Sequence, residues 1–516
     1  MSNQLPSKFV SLVPTNGTQF SVDQGNKVIF ELAPSLALVK GRDSYLVLDI
    51  LNNSSDQKRT ALNNMAGADS IIDRVDVYSL NTGIHLETMQ NYNQWQAVTN
   101  QYYFEDKTNL QTLQGCGDKV YAFERSGGNN SLVSQPANRV ANCQISPVVE
   151  ATGSPVYNFR RFTTPLKAGI FRYWDEERLT PVIALQGLRI EITLADAKQA
   201  CVFLDAVEDD GSVKNISPSA ARGSGIPFPD GQSGANIICT NDMKVKNTGM
   251  AVGNLVKVYY NDGGDQELNT SITAMTDNAG KVQFTLADAV PGGTTAKSMI
   301  LRSDTRALQV KPEFRVLSVA PPQGMVNEIG NGMAYEFTSY DYHVDNIPAN
   351  ARKHLIEFNS VATRANCIFT QFQPISGDKG ELNSTYFSGD IPGNLNLNEV
   401  QYFINGRLQP VRSYDPNEKQ EKIIALSELN KALGTINKET QDLGNPDTQN
   451  LDVYTNTFMI ARQLARQPYY YNLRDAEGQI RLGFSGTRAG DTLANTFIWS
   501  KRIISIGQDA SLNVLL

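Results

Sequence analysis

Three histidines, five cysteines and a handful of acidic or glycine-rich clusters are the residues of this 516-residue chain that could do chemistry. A metal enzyme built on a β-barrel needs clustered imidazoles. His85, His343 and His354 are scattered, form neither H-x-H nor H-E-x-x-H, and His85 sits in a strand-like run that suits a structural role. The loop Asp262-Gly263-Gly264-Asp265-Gln266-Glu267 offers carboxylates to a calcium ion but lacks EF-hand spacing, so it reads as turn chemistry. Ser126-Gly127-Gly128 and the glycines between Gly249 and Gly253 have no Lys-Ser/Thr partner at phosphate-loop spacing. Gly223-Ser224-Gly225 lacks the G-x-S-x-G frame of a nucleophile elbow. The expectation is a chain without catalytic residues, resident metal or cofactor, and therefore not an enzyme.

The cysteines, Cys116, Cys143, Cys201, Cys239 and Cys367, are odd in number and contain no C-x-x-C pair. They read as reduced, buried thiols, which points to a reducing interior such as cytoplasm or nucleus. The N-terminal residues lack the apolar core of a signal peptide, and no stretch approaches the roughly 18 apolar residues of a membrane span. Sequons such as Asn16-Gly17-Thr18 and Asn383-Ser384-Thr385 then read as chance matches. Formal charge is 46 minus 53, or −7, with no long basic block, so direct nucleic-acid binding is not expected.

The elements that would carry these residues are strands. Short apolar runs, several alternating with period two, are punctuated by Gly, Asn, Asp and Pro along the whole chain. Lys27 to Leu32, Ser44 to Leu51, Arg74 to Leu80 and Ile84 to Met89 read as strands, and Leu188, Ile190, Ile192 and Leu194 alternate with Arg189, Glu191 and Thr193 as in a half-buried antiparallel strand. An aromatic-rich segment from Met89 to Phe104, free of Gly and Pro, predicts a helix that covers a barrel end. Asp209 to Gly234 reads as a linker, and 244–303 as a small β unit of three or four strands, too small for a sound core of its own and hence an insertion on a larger body. A second β region starts at Phe314-Arg315-Val316-Leu317-Ser318-Val319-Ala320. Helices are predicted within it at Glu421–Leu433 and Thr455–Arg466, and three closing strands at Gln479–Phe484, Thr496–Ser500 and Leu512–Leu516.

Leu36-Ala37-Leu38-Val39 running into Lys40-Gly41-Arg42-Asp43-Ser44-Tyr45-Leu46-Val47-Leu48-Asp49-Ile50-Leu51 resembles the first barrel of major capsid proteins from polinton-like viruses and virophages. So do Asp73 to Trp95, Phe162 to Arg172 and Leu188 to Leu194, and more faintly Arg315 to Pro322 and Gln401 to Arg407. The resemblance implies an all-β double jelly roll: two consecutive eight-stranded jelly rolls, a few short helices and a small β insertion between the barrels. The expected units are 1–208, the first jelly roll with an N-terminal arm; 209–310, linker and insertion; and 311–516, the second jelly roll.

The resemblance further implies a homotrimer forming a pseudo-hexagonal capsomer, neighbouring capsomers, penton and other minor capsid proteins as partners, and residence in the virion of an icosahedral double-stranded DNA virus. Aromatics are enriched where one subunit buries another, which makes Tyr102, Tyr103, Phe104, Tyr173, Trp174, Tyr469, Tyr470 and Tyr471 candidate inter-subunit contacts. Filling their own barrel's end is the alternative for each. Arg160 and Arg161, with Lys167, Arg172 and Arg178 nearby in sequence, could concentrate positive charge for a minor protein or an inner membrane, against a plain solvated loop or salt link. The rival reading from another class is a carbohydrate-binding β-sandwich surface protein.

Overall fold

The computed structural model describes residues 6–52, 60–63, 66–100, 159–173, 179–203, 206–209, 212–214, 216, 223, 225–245, 248, 250, 252–261, 265–302, 307–322, 324, 332–358, 360–374, 395–418, 421–436, 458–465, 469–474, 478–488, 490–509 and 511–515. The chain begins with β1 (Ser7–Leu12), β2 (Phe20–Ser21), β3 (Lys27–Leu32), β4 (Leu38–Val39), β5 (Tyr45–Asn52), β6 (Thr60–Leu62), β7 (Ile72–Ser79) and β8 (His85–Met89). Helix α1 (Tyr92–Thr99) follows, then β9 (Phe159–Pro165), β10 (Thr180–Pro181), β11 (Leu188–Leu194), the short α2 (Ala197–Ala200) and β12 (Cys201–Phe203), which pairs with β6.

Next comes a unit with its own core. The hairpin of β13 (Ala206–Val207) and β14 (Val213–Lys214) leads into β15 (Ile226–Pro227), β16 (Gly234–Ile238), β17 (Leu255–Asn261), β18 (Asp265–Asn278), β19 (Lys281–Val290) and β20 (Thr295–Leu301). The last six form one sheet in the order β15-β20-β17-β18-β19-β16. Their buried faces meet in a cluster that includes Ile226, Ile237, Val258, Phe284 and Met299 and reaches back to Ala206. The unit is therefore larger than the expected 244–303. Strands β14 and β15 lie within the stretch that reads as linker and β16 starts at its last residue, because Ile226, and Ile237 just beyond it, bury their side chains in that polar surround.

The chain then returns to the first barrel. Strand β21 (Leu308–Val319), expected to open the second β region, instead pairs with β1, β2, β4 and β5. Phe314 explains why: its ring centroid lies 5.8 Å from that of Phe30, tilted, and 5.9 Å from that of Phe171, edge to face, both in the first barrel's core. The unit of β13 to β20 thus sits in the connection between β11 and the strand that closes this barrel.

Taking β1 with β2 as the first strand, the barrel's eight are β1/β2, β3, β5, β7, β8, β9, β11 and β21. One sheet runs first, eighth, third, sixth, extended by β4 and β10; the other, β3-β11-β7-β8, runs second, seventh, fourth, fifth. The second barrel consists of β22 (Met333–Ile347), β23 (Lys353–Phe358), β24 (Ala365–Pro374), β25 (Leu397–Ile404), β26 (Arg407–Tyr414), α3 (Lys422–Ile436), β27 (Met459–Gln463), β28 (Gly478–Phe484), β29 (Thr492–Ile506) and β30 (Leu512–Leu515). Its sheets are β22-β29-β24-β27, with β30 on β29, and β23-β28-β25-β26. That is again first, eighth, third, sixth against second, seventh, fourth, fifth. Two nested Greek keys in each unit make the fold a double jelly roll.

The strand patterns follow from burial. In β11, Leu188, Ile190, Ile192 and Leu194 face the core. In β29 nearly every residue is buried, so that strand is covered on both faces and loses the alternation of a half-exposed one. Helix α3 matches its expectation and buries Ala425, Leu429, Ala432 and Leu433, while Ile424 stays exposed. The helix expected at Thr455–Arg466 is corrected: 459–463 is the strand β27, whose pairing with β24 outweighs the helical spacing of its side chains. The expected helix from Met89 to Phe104 is helical over Tyr92–Thr99; Met89 instead ends β8, and 101–104 lie outside the described residues.

Candidate assembly surfaces and the seam between the barrels

Arg160 and Arg161 lie on β9, at one end of its sheet's strand order. Opposite Arg161 in the β5–β9 register stands Asp49, and the guanidinium gives it two hydrogen bonds, Nε at 2.6 Å and Nη2 at 2.8 Å. This pairing holds Arg161 above the usual arginine pKa. Arg160 places its guanidinium 5.4 Å from the Phe162 ring centroid.

The other basic residues of the expected patch go elsewhere. Lys167 is buried in an ion pair with Asp69, at 3.0 Å. Arg172 takes a left-handed conformation (φ 50°) and lies 4.2 Å over the Tyr335 ring in the second barrel. Arg178 lies outside the described residues. The four described cations therefore do not form one patch, because burial, an aromatic face and local acids claim them separately.

Of the candidate aromatics, Tyr102, Tyr103, Phe104 and Trp174 lie outside the described residues. Tyr173 is half-buried against the core that runs through both barrels. Tyr471 packs on the second barrel's core while its backbone pairs with Ala365 in both directions. Tyr470 has Lys501 5.9 Å from its ring centroid, and Lys501 bonds Glu336 at 2.6 Å. Tyr469 is 76% exposed. The backbone bond from Leu473 to Ala362 runs this segment alongside Val361, which is also exposed. Tyr469 thus stands exposed at the start of this segment and Val361 beyond its other end, with the charged group of Lys501, Glu336 and Arg364 alongside.

The densest chemistry lies where sequence reasoning did not look, at the seam between the barrels. Helix α1 packs on the second barrel, bringing the Trp95 ring to 5.0 Å from Phe497, 5.1 Å from Trp499, 5.2 Å from Phe369 and 5.7 Å from Tyr340. Beside it, the fully buried Glu87 of β8 accepts hydrogen bonds from the backbone N–H groups of Gly169, at 3.0 Å, and Ile170, at 2.8 Å, and from the Ser339 hydroxyl of the second barrel. Burial pushes the Glu87 carboxyl up in pKa, while Ser339, the two N–H groups and the charge of Arg502 pull it back. Tyr340 donates its hydroxyl to the Gln90 carbonyl at 2.9 Å, and Tyr335 donates to the Ile170 carbonyl. A Cβ on Gly169 would run into the Thr338 carbonyl oxygen, so the two barrels approach there to backbone distance. The one sequence signal for this seam is the aromatic content of the Tyr92–Trp95 turn.

His85 bonds Thr88 at 2.6 Å, and His354 bonds Asp345 at 3.0 Å. Asp265 and Glu267 of the candidate cation loop belong to β18, where Glu267 pairs with Lys257 at 3.2 Å, while 262–264 lie outside the described residues. Cys201, Cys239 and Cys367 are buried; Cys116 and Cys143 lie outside the described residues. Among the described residues no group of three or more His, Cys, Asp or Glu converges on a metal site, and no helix is long and apolar enough to cross a membrane.

No protein-family model and no curated protein sequence matches the chain. Among solved structures it is similar to a chain of the PBCV-1 virus capsid, with a TM-score of 0.50 and 11% identity over 100% of this chain and 98% of that one. It is also similar to the Faustovirus major capsid protein (TM-score 0.47, 9% identity, 97% and 90% covered) and to a chain in the structure of the Sputnik virophage (TM-score 0.46, 11% identity, 97% and 88% covered). At these identities the likeness is one of fold, and it spans both barrels.

Proposed function

We propose that the chain is a major capsid protein, a non-enzymatic subunit that trimerises into pseudo-hexagonal capsomers and tiles the icosahedral shell of a double-stranded DNA virus of the polinton-like or virophage kind. The observation that carries this reading is the repetition of one jelly-roll strand order in two barrels welded by a buried seam. Two similar barrels held rigidly side by side give each subunit two comparable wall segments, so three subunits supply the six walls of a near-hexagonal tile. The likeness to the PBCV-1 capsid chain over the full length of both supports the same reading.

In this reading the first building block comprises residues up to about 203 together with 308–319, the second comprises 333–515, and the unit between β11 and β21 decorates the first. Tyr469 and Tyr470, and Arg160 and Arg161 on β9, are the candidate contacts for neighbouring subunits or capsomers. Penton and minor capsid proteins would be the further partners, the virion the residence, and cytoplasm or nucleus the place of assembly.

Light-scattering mass of the purified chain, with negative-stain images of the same peak, tests the proposal. A stable trimer of hexagonal outline is expected. A well-folded monomer across several salt and pH conditions would overturn it, and would bring glycan-binding screens for a β-sandwich surface protein forward. Ala at both Arg160 and Arg161 is expected to weaken shell assembly while leaving trimers intact; unchanged shells would remove those two residues from the contact set.

A further inference from the structure

Three side chains with complementary reactivity meet, buried, at the end of α1. Lys167 Nζ lies 3.0 Å from Asp69 Oδ2 and 3.0 Å from Asn100 Oδ1. The lysine side chain is 3% exposed and that of Asp69 0%, and Asn100 is buried as well. Each stands on an element that fixes it. Asp69 belongs to the 3-10 turn Gly67–Ile71 and takes a second hydrogen bond, at 2.8 Å, from the Thr164 hydroxyl. Asn100 follows α1 directly, its N–H bonded to the Gln96 carbonyl at 2.9 Å. Lys167 follows β9, and its backbone N–H donates to the phenol oxygen of the buried Tyr92 at 3.1 Å.

We propose that Lys167 and Asn100 join in an intramolecular isopeptide bond, formed by the chain itself with Asp69 as proton carrier. An amine, a side-chain amide and a carboxyl group held buried and in contact are the reactants and the acid–base of an amide exchange, and fixed proximity replaces the encounter that makes this reaction slow in solution. Asp69 Oδ2, 3.0 Å from Nζ, is the base that takes one of its protons as the amine reacts, which leaves the nitrogen lone pair free to attack.

The Nζ lone pair then attacks Cγ of Asn100. The new C–N bond forms as the carbonyl π pair moves onto Oδ1, where the Asp69 acid can donate a hydrogen bond. A proton relayed from Nζ through Asp69 reaches Nδ2, the carbonyl re-forms, the Cγ–Nδ2 bond breaks and ammonia leaves. Of the three protons on the original ammonium, one stays on the new amide nitrogen, one departs in the ammonia, and one rests on Asp69 until solvent or the ammonia takes it. No oxidant or cofactor is consumed. The product ties the end of α1, the helix that holds the barrel seam, to the segment after β9, so that α1 cannot fray from the first barrel without breaking a covalent bond.

Intact-mass spectrometry and a tryptic map of the purified full-length chain test this. The expected mass is lower than that of the sequence by one ammonia. Trypsin is expected to fail at Lys167, yielding the peptide Phe162–Arg172 linked to the peptide that holds Asn100. Lys167→Arg and Asp69→Asn are expected at full sequence mass without the linked peptide. A wild-type chain at full mass, or cleaved normally at Lys167, would overturn the proposal. So would a mass loss that persists in Lys167→Arg, which would place it at another asparagine. Should the variants fail to fold, the wild-type map decides by itself.

Discussion

The Trp95 indole, carried by a helix of the first barrel, stands 5.1 Å from the Trp499 indole in the longest strand pairing of the second. Both rings are fully buried, and Tyr340, Phe369 and Phe497 surround them. Two jelly rolls that could otherwise move independently share an aromatic core across their boundary. Removing the Trp95 ring leaves a cavity in that core, so Trp95→Ala should cost about 3–5 kcal/mol in chemical denaturation. It should also split one unfolding transition into two, which calorimetry would detect. A single transition at the wild-type midpoint would mean that the seam is held by other contacts.

Gly169 sits where the Thr338 carbonyl and the Glu87 carboxylate leave no room for a Cβ. Its N–H also donates to Glu87. Gly169→Ala should therefore push the barrels apart at one point and destabilise the chain by about 1–3 kcal/mol, the usual cost of overpacking a tight interior. Comparison of denaturation midpoints checks it.

Glu87 gives the seam a pH dependence of known sign. Burial raises its folded-state pKa above the usual glutamate value. Between those two values the native chain holds more protons than the unfolded one, so stability is greatest below the ordinary glutamate pKa, falls as pH rises through the raised value, and then levels off. Glu87→Gln cannot titrate, and its amide turns a donor toward groups that themselves donate, so it should be less stable throughout. Subtracting its stability-versus-pH curve from that of wild type should isolate the falling segment. A difference curve that rises with pH would reverse the assigned shift.

The unit of β13 to β20 keeps its buried residues in a cluster separate from that of the barrels. Replacing residues 206–302 by a flexible linker should leave the barrels folded, with Phe314 still packed on Phe30 and Phe171. Phe314→Ala should in contrast cost about 3–5 kcal/mol, although it stands more than a hundred residues beyond β11. Denaturation of the two variants side by side would show whether β21 closes the first barrel.

Much of the strand content was legible in the chain, and the reason is local. Alternation in Leu188–Leu194 reports one buried and one solvated face wherever the strand is folded, and α3 carries its apolar stripe on its own surface. The segment 459–463 shows the limit: its apolar and polar residues suit a helix, and only the open position beside β24 makes it a strand. The allegiance of β21 was equally hidden, because an apolar strand has no mark of which sheet will take it.

The sequence by itself determined that the chain is all-β and that it is long enough for two barrels. Tertiary structure alone decided that Arg160, Arg161, Lys167 and Arg172 part company, one onto a Phe face, one onto Asp49, one into a pocket and one over Tyr335. It alone brought Glu87 to Ser339 and Lys167 to Asn100. The physical reason is one of range. Period and turn chemistry act over a few residues and are written in order along the chain, whereas pairings between residues separated by 67 or 252 positions exist only once the barrels have closed and water has been excluded between them.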